Sequence, residues 1–430
     1  MFDYTEEKSE DILCIDVKSF YASAECVARG DDPMETMLVV MSNAENAGGL
    51  ILAASPKAKE TLGISNVSRK WEIPDHPDLI IVPPRMNFYI EMNMRINNIY
   101  RQYVPDEDIH IYSIDETFLS IRPSIKLFKQ KSAFALAKLI QTHIEKALGL
   151  YLTIGIGDNM LLAKLALDNA AKHTMGYIAE WRYQDVPQTV WQIPNLTDMW
   201  GVGSRTAARL NQAGIYTVYD LAHYDFYQLR QKMGLIGEQL YAGAWGIDRS
   251  NIREQITSIE KSYGNSQILP RDYLKRTELN IVIREIAEQV ATRLRKHHCQ
   301  TACVSLYVGY SRHELERGFA KQVKIAPTSH SKKLAQYCLE LFNKHYGGQA
   351  VRKLGISYSK LTYTESIQLD LFEDPHKQLA EARLDFLVDK IREKYGFCSL
   401  IHASSLLDGA TAVSRSSLVG GHAGGMEGIR

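Results

Sequence analysis

The spacing of hydrophobic and polar residues changes several times along the chain, and it predicts a mixture of strands and helices. Residues 12–15 form a continuous apolar run, which is typical of a strand buried on both faces. From Ser19 onward the apolar residues are spaced for a helix. Asp16 therefore lies at the exit of a buried strand, where a carboxylate binds a cation, joins a hydrogen-bond network or serves as the N-cap of the next helix.

A second acidic position occurs in residues 112–121, which read Y-S-I-D-E-T-F-L-S-I. Alternating apolar residues predict strands on both sides of Asp115 and Glu116, with little turn chemistry between them. Adjacent carboxylates in a strand repel each other, and Mg²⁺, which prefers carboxylate and phosphate oxygens, would offset that repulsion. With Asp16 on a neighbouring strand, these residues could hold two Mg²⁺ ions for in-line phosphoryl transfer.

Three lysines occupy positions suited to binding phosphate. Pro56 after Ser55 predicts that a helix begins at residue 56, which places Lys57 and Lys59 near a helix N-terminus. Lys172 closes a second predicted helix, which reads L-L-A-K-L-A-L-D-N-A-A-K. Each lysine taken singly fits a solvated surface charge as well.

A glycine-rich turn lies within residues 196–221. Two short helical patterns meet at Gly201, Val202 and Gly203, and Ser204 is the predicted N-cap of the second helix. Glycines let a backbone approach closely, and free N–H groups at a helix start bind a DNA phosphate without reading sequence. The pattern therefore favours a DNA-binding helix-hairpin-helix over a simple packing turn.

The segment that follows has the element order of a ferredoxin-like domain with a split βαβ arrangement. It also carries more cations than solubility needs, among them Arg271 and Arg295, which favours contacts to phosphates. The predicted elements are a strand over 261–269, a helix over 278–298, strands over 301–310 and 317–325, a helix over 329–346 and a strand over 351–362.

Charge is distributed unevenly along the 430 residues, although 50 basic and 50 acidic side chains give a net charge of zero. Residues 1–200 carry a net charge of −8, residues 201–360 carry +11, and the last seventy carry −3. This distribution is expected when one part of a chain holds divalent cations and another holds an anionic polymer.

The cellular location is expected to be the cytoplasm. The acidic first eleven residues lack the features of a signal peptide, and no apolar run is long enough to cross a membrane. Six widely spaced cysteines indicate a reducing compartment. Two of them, Cys299 and Cys303, follow His297 and His298, but the spacing is poor for zinc and favours buried apolar cysteines.

Together these motifs resemble the Y-family DNA polymerases, specifically the UmuC-like lesion-bypass branch (ImpB/MucB/SamB) of Gram-positive type, over residues 12–372. The first motif of that family is similar to D-V-K-S-F-Y-A-S-A-E, the third to Y-S-I-D-E and the thumb hairpin to W-G-V-G. The resemblance implies an α+β right-hand polymerase with an α/β palm, small fingers, a helix-hairpin-helix thumb and a ferredoxin-like little finger. The implied boundaries are 1–24 and 80–182 for the palm, 25–79 for the fingers, 183–255 for the thumb, 260–362 for the little finger, 363–374 for a linker, and 375–430 for a C-terminal helix and tail.

The resemblance also implies roles for individual residues. Asp16, Asp115 and Glu116 would be catalytic and would bind two Mg²⁺ ions, with the carbonyl group of Val17 completing one coordination shell. Nucleotide would be bound by four side chains, and among them Tyr21 would be the steric gate that excludes a ribose 2′-hydroxyl; the four are Phe20, Tyr21, Lys59 and Lys172.

Two departures from the family pattern affect these assignments. Lys18 stands where many relatives carry Asp or Asn. The segment before Gly63 is one residue longer than in several family members, which leaves open whether Lys57 or Lys59 contacts the triphosphate.

A short peptide after the last predicted strand is similar to the segment with which bacterial proteins bind the sliding clamp. Its leucine and phenylalanine anchors would fill a groove while the glutamine makes polar contacts. The peptide consists of Gln368, Leu369, Asp370, Leu371 and Phe372.

The predicted function is template-directed DNA synthesis, with error-prone translesion synthesis in DNA repair and the SOS response. The partners would be primer-template DNA, dNTP and the sliding clamp, with no membrane; a recombinase filament or an accessory subunit would be a further partner. The alternatives are a non-catalytic DNA- and clamp-bound scaffold that recruits repair enzymes, and a palm-like nucleotidyl cyclase. The complete set of carboxylates disfavours the scaffold, and the hairpin and basic domain disfavour the cyclase.

Overall fold

The computed structural model describes residues 3–42, 49–254, 260–364 and 374–424. The chain forms two compact units, one comprising Met1–Gln255 with His422–Arg430 and the other comprising Ile256–Gly421. No helix in the described ranges is both long enough and apolar enough to cross a membrane.

As far as residue 244, the first unit mixes strands and helices and then continues in helices alone. Its elements are β1 (Ile12–Val17), α1 (Phe20–Arg29), β2 (Leu38–Ser42), β3 (Leu50–Ala54), α2 (Pro56–Leu62), β4 (Ile80–Val82), α3 (Met86–Tyr100), β5 (Ile109–Ile111), β6 (Glu116–Ser120), α4 (Arg122–Leu127), α5 (Ala133–Leu148), β7 (Leu152–Gly157), α6 (Met160–Asn169), β8 (Ile178–Trp181), α7 (Ser204–Gln212), α8 (Val218–His223), α9 (Phe226–Met233) and α10 (Leu235–Ala244).

A five-stranded sheet with the order β5-β6-β1-β7-β8 forms the centre of this unit. The buried apolar run predicts β1 correctly, and β1 lies antiparallel between β6 and β7. Gly155 in β7 lets α6 pack unusually close, because a Cβ at this position would lie 2.0 Å from the carbonyl oxygen of Ala163. This contact fixes α6 against the sheet. Three further strands of this unit form a separate sheet with the order β3-β2-β4.

The structure corrects two of the predicted helix termini. The helix predicted to end at Lys172 stops at Asn169, because Ala170 leaves helical geometry, and a separate 3-10 helix covers Ala171–His173. Ser204 is the first residue of α7 rather than its N-cap, because extended Gly203 takes the cap position.

Two predicted connections also differ. The pattern before Gly201 forms a 3-10 helix over Leu196–Asp198, not an α-helix. The expectation of little turn chemistry between β5 and β6 was wrong, because the N–H groups of Tyr112 and Ser113 both donate to the carbonyl oxygen of Glu116 and close a tight hairpin.

The second unit has the predicted order of strands and helices. Its elements are β9 (Tyr263–Tyr273), α11 (Arg276–Lys296), β10 (Cys299–Tyr310), β11 (Gly318–Thr328), α12 (Ser331–His345), β12 (Val351–Tyr363), α13 (Pro375–Tyr395), α14 (Ala412–Arg415) and β13 (Leu418–Val419); the last described strand, β14 (His422–Ala423), belongs to the first unit. An antiparallel sheet with the order β11-β10-β12-β9 packs against α11 and α12 around a continuous apolar core, where Cys299 is buried.

Within the second unit, charged side chains attach α13 to α11 and to the start of α12. The guanidinium group of Arg295 donates to Asp389 at 2.5 Å, and His330 lies 2.8 Å from Glu381 and 3.0 Å from Asp385. Arg295 is therefore committed to an internal ion pair, which makes it unsuited to the phosphate contacts that its sequence position suggests. The chain after α13 is also anchored, since the N–H group of Thr411 donates to Glu285 at 2.9 Å.

Candidate active site

Three carboxylates predicted from the sequence lie together at one end of the central sheet. Asp16 on β1 is directly opposite Glu116 on β6 in the antiparallel register, so both side chains lie on the same face. Asp115 precedes β6, and its carbonyl oxygen accepts a hydrogen bond of 2.9 Å from the N–H group of Val17. Pairing between β1 and β6 therefore brings together residues about one hundred positions apart.

The hairpin between β5 and β6 holds Asp115 in place. The hydroxyl group of Ser113 donates to Asp115 at 2.6 Å and accepts from the N–H group of Glu116 at 3.1 Å. The amide of Asn93 on α3 donates to the carbonyl oxygen of Ile114 at 2.7 Å. These contacts fix the direction of the Asp115 carboxylate before any ligand binds.

The electrostatic environment of Asp16 fits a cation-binding role. The pKa of Asp16 is raised to about 6, mainly by burial and also by the negative charges of Asp115 and Glu116, while Lys172 and Lys164 oppose the shift. Such a cluster is costly unless positive charge compensates it, and oxygen donors of this kind suit Mg²⁺. The donor set therefore fits a divalent metal ion.

A cleft of about 1040 Å³ opens beside these carboxylates and brings most of the predicted site residues together. The predicted residues that line it are Asp16, Val17, Phe20, Tyr21, Lys59, Asp115 and Lys172. Glu116 is buried beside the cleft, with only 7% of its surface exposed. Lys59 lines the cleft, whereas Lys57 is not among its lining residues.

Two of the three lysines that line the cleft, Lys59 and Lys172, were predicted from the sequence to bind phosphate. The ammonium group of Lys59 donates to the hydroxyl group of Ser19 at 3.1 Å, and burial lowers the pKa of Lys59. Lys172 lies 2.7 Å from Asp168 and 3.9 Å from Asp16. Although burial alone would lower the pKa of Lys172, these two carboxylates outweigh it and raise the pKa.

Tyr21 is held by an aromatic neighbour that the sequence did not reveal. Its ring stacks on Tyr89 of α3, with centroids 4.4 Å apart and planes inclined by 16°. The Tyr89 hydroxyl group donates to buried Glu25 at 2.8 Å, and Arg85 binds both oxygens of Glu25 at 2.9 and 2.6 Å. An ion pair between Glu25 of α1 and Arg85, the N-cap of α3, thus supports Tyr89 and, through it, the Tyr21 ring at the cleft.

Sequence comparison decides the family. Profiles of the impB/mucB/samB family match residues 15–168, its HHH motif matches residues 183–215, and its C-terminal domain matches residues 260–371. UvrX of Bacillus subtilis (strain 168), named for UV-damage repair, is 41% identical over 98% of this chain and 100% of its own. DNA polymerase IV 2 of the same organism is 34% identical over 96% of this chain and 99% of its own. The chain belongs to the impB/mucB/samB family.

This membership makes the chain a Y-family DNA polymerase with a translesion role in DNA repair, acting on primer-template DNA and dNTP with a divalent metal. The fold agrees, because a solved Y-family DNA polymerase chimera, Dbh-Dpo4(243-245)-Dbh, superposes with a TM-score of 0.65. The match covers 82% of this chain and 100% of the other at 20% identity. The α+β right-hand polymerase architecture is therefore confirmed.

The glycine hairpin of this Y-family polymerase lies at the start of α7. Gly201 has a φ of +89°, which glycine adopts without strain, and Val202 is buried beneath the turn. Gly201, Val202 and Gly203 line a second cleft, of about 1160 Å³, together with Trp200 and His173. A backbone exposed in this way suits a phosphate of the DNA strand.

Sequence reasoning missed the side chains that hold Glu116. The thiol group of Cys14 donates to Glu116 at 3.1 Å, and the ammonium group of Lys164 lies 2.9 Å from the same oxygen. One signal was available, because Lys164 and Asp168 have the i,i+4 spacing of a helical ion pair, which the structure contains at 3.0 Å.

The predicted clamp-binding peptide, Gln368 to Phe372, lies outside the described residues. Its role stays a prediction from the sequence.

Proposed function

We propose that this polymerase joins a dNTP to the 3′-hydroxyl group of a primer opposite a template base, releasing pyrophosphate, with Asp16, Asp115 and Glu116 as its catalytic carboxylates. The observation that carries the proposal is the clustering of these three residues beside a cleft, where the pKa of Asp16 is raised to about 6. Two Mg²⁺ ions, when bound, would activate the primer hydroxyl group and neutralise charge on the phosphates.

The protein side chains have separate tasks in this reaction. The carboxylates of Asp16, Asp115 and Glu116, with the Val17 carbonyl group, would hold the metal ions. Lys59 and Lys172 would pair with the triphosphate, which gives these two partly buried cations a common role. The ring of Tyr21, packed beside Phe20 with centroids 5.7 Å apart, would contact the sugar and exclude a 2′-hydroxyl group.

The same proposal covers the rest of the chain. The predicted palm, fingers, thumb and little-finger boundaries are retained, and the hairpin at Gly201, Val202 and Gly203 would bind a DNA phosphate. The peptide from Gln368 to Phe372 would bind the sliding clamp and raise processivity through its effective concentration at the DNA. We place this activity in the cytoplasm and in the SOS response, with a recombinase filament or accessory subunit as a further partner.

The test is extension of a primed template that carries a blocking lesion, with Mg²⁺ and dNTPs. Asp16→Asn and Asp115→Asn should each abolish extension but leave primer binding intact, whereas Asp106→Asn, a matched change at an exposed ion pair with Arg101, should have no effect. Primer binding without extension by the unsubstituted protein would favour the scaffold alternative. Unchanged extension by Asp115→Asn would show that the catalytic assignment is wrong.

The clamp contact needs a separate experiment. Replacing Leu371 and Phe372 with alanine should abolish binding to the sliding clamp and reduce the length of products made with the clamp. Synthesis without the clamp should be unchanged. Retained clamp affinity would place the contact on another surface.

A further inference from the structure

A line of alternating charges connects two of the proposed metal ligands. Glu116 contacts Lys164, Lys164 contacts Asp168 at 3.0 Å, and Asp168 contacts Lys172 at 2.7 Å. The line ends where Lys172 approaches Asp16 at 3.9 Å. The two lysines therefore share one carboxylate, Asp168, and each also faces a proposed metal ligand.

The contact between Lys164 and Glu116 occupies both oxygens of the carboxylate. The ammonium group lies 2.9 Å from Oε1 and 3.0 Å from Oε2, and the thiol group of Cys14 also donates to Oε1. Only about a tenth of each charged side chain is exposed, so water does not compete strongly for either group. Glu116 cannot turn its oxygens to a cation without weakening these hydrogen bonds.

Asp168 gives Lys164 an alternative partner. It forms an ion pair with the Lys164 ammonium group at 3.0 Å, and its own side chain is about a third exposed. If Glu116 turns away, Lys164 keeps a charged partner on its own helix, so the lysine is not left buried and unpaired. The arrangement therefore permits two positions of Glu116 at a moderate difference in free energy.

We propose that Lys164 is a positioning residue that holds Glu116 away from the metal site, so that the ammonium group and the incoming cation compete for this carboxylate. The inference rests on the metal role of Glu116 proposed above. The consequence is that cation binding moves Glu116 from Lys164 toward the cleft, while Asp168 retains the lysine.

The competition predicts how a substitution changes metal affinity. Lys164→Met keeps the length and apolar stem of the side chain but removes the ammonium group. Because charged hydrogen bonds to Glu116 no longer oppose the cation, the variant should bind Mn²⁺ about fivefold or more tightly. Lys138→Met is the matched control, since Lys138 donates to Gln141 on α5 at 2.8 Å, away from the carboxylates; its Mn²⁺ affinity should equal that of the unsubstituted protein.

The measurement is titration of the full chain with Mn²⁺ alone, with the free ion detected by electron paramagnetic resonance. It should be repeated in a Glu116→Gln background. If the lysine acts by competing for Glu116, Lys164→Met should change Mn²⁺ affinity by less than about twofold in that background. An equal gain in both backgrounds would show a general field effect and would overturn the proposal, as would unchanged or weaker Mn²⁺ binding by Lys164→Met itself.

A second substitution covers the case in which Lys164→Met does not fold. Lys164→Gln retains a hydrogen-bond donor without the charge, and it should give a smaller gain of the same sign, again lost in the Glu116→Gln background. These measurements also distinguish failure of this inference from failure of the proposed function. If Asp16→Asn and Glu116→Gln leave Mn²⁺ binding unchanged, the metal site is wrong; if they weaken it while neither Lys164 variant alters it, only the competition is wrong.

Discussion

The stacking of Tyr21 on Tyr89 predicts that Tyr89, which is not among the proposed nucleotide-binding residues, affects the selection of deoxyribose over ribose. Tyr89→Leu removes the ring that supports Tyr21 at a centroid distance of 4.4 Å. If Tyr21 is the steric gate proposed above, the penalty against a ribonucleotide cannot exceed the free energy needed to displace its ring from the sugar. Weakening the support of this ring should therefore increase ribonucleotide insertion.

The geometry sets the size of the effect. A stacked aromatic pair contributes about 0.5–1.5 kcal/mol beyond its buried area, which corresponds to a loss of about twofold to thirteenfold in sugar discrimination. Part of the discrimination should survive, because Phe20 also packs against the Tyr21 ring. Tyr21→Ala should lose more discrimination than Tyr89→Leu, since it removes the proposed gate itself.

The assay compares kcat/KM for a dNTP and for the matching ribonucleotide on an undamaged template. Tyr89→Phe is the control, because it keeps the stacked ring and loses only the 2.8 Å hydrogen bond to Glu25. Discrimination by Tyr89→Phe should stay close to that of the unsubstituted protein. The reasoning would be refuted if Tyr89→Leu retained full discrimination, or if Tyr89→Phe lost as much.

Three further predictions concern stability. Gly155→Ala should lower the free energy of unfolding by about 3 kcal/mol or more in urea titrations, because the added Cβ would lie 2.0 Å from the carbonyl oxygen of Ala163; a change below about 1 kcal/mol would contradict the close packing. The hydrogen bond to Asp385 raises the pKa of His330, so docking of α13 should be fully supported below about pH 6.5 and weaken as pH rises through the elevated folded-state pKa. The test is thermal unfolding of the unsubstituted protein and of His330→Gln over this pH range. If His330→Gln loses as much stability as the unsubstituted protein when the pH rises, the prediction is wrong. Tyr4→Phe should lower the free energy of unfolding by about 1 kcal/mol, measured by thermal unfolding, because the Tyr4 hydroxyl group donates to the carbonyl oxygen of Trp245 at 2.8 Å. Equal stability of this variant would show that the hydrogen bond does not anchor the N-terminal segment.

The sequence by itself determined the kinds of residue in the site and the order of elements that hold them. Asp16, Asp115 and Glu116 stand next to apolar runs long enough to be strands, and carboxylates in such positions need compensation wherever the strands pack. The alternation of strands and helices in the second unit was likewise readable. In both cases the decisive interactions are local, or they follow from the period of the backbone.

Only the tertiary structure decided which side chains support those residues. Lys164 lies 48 positions from Glu116, and Tyr89 lies 64 positions from Glu25, so no spacing along the chain indicates these contacts. Lys172 lines the cleft from a separate 3-10 helix, because α6 stops at Asn169, and helical periodicity did not predict that end. The physical reason is that burial and charge pairing depend on how separate elements pack, and packing is selected by the whole core rather than by any one segment.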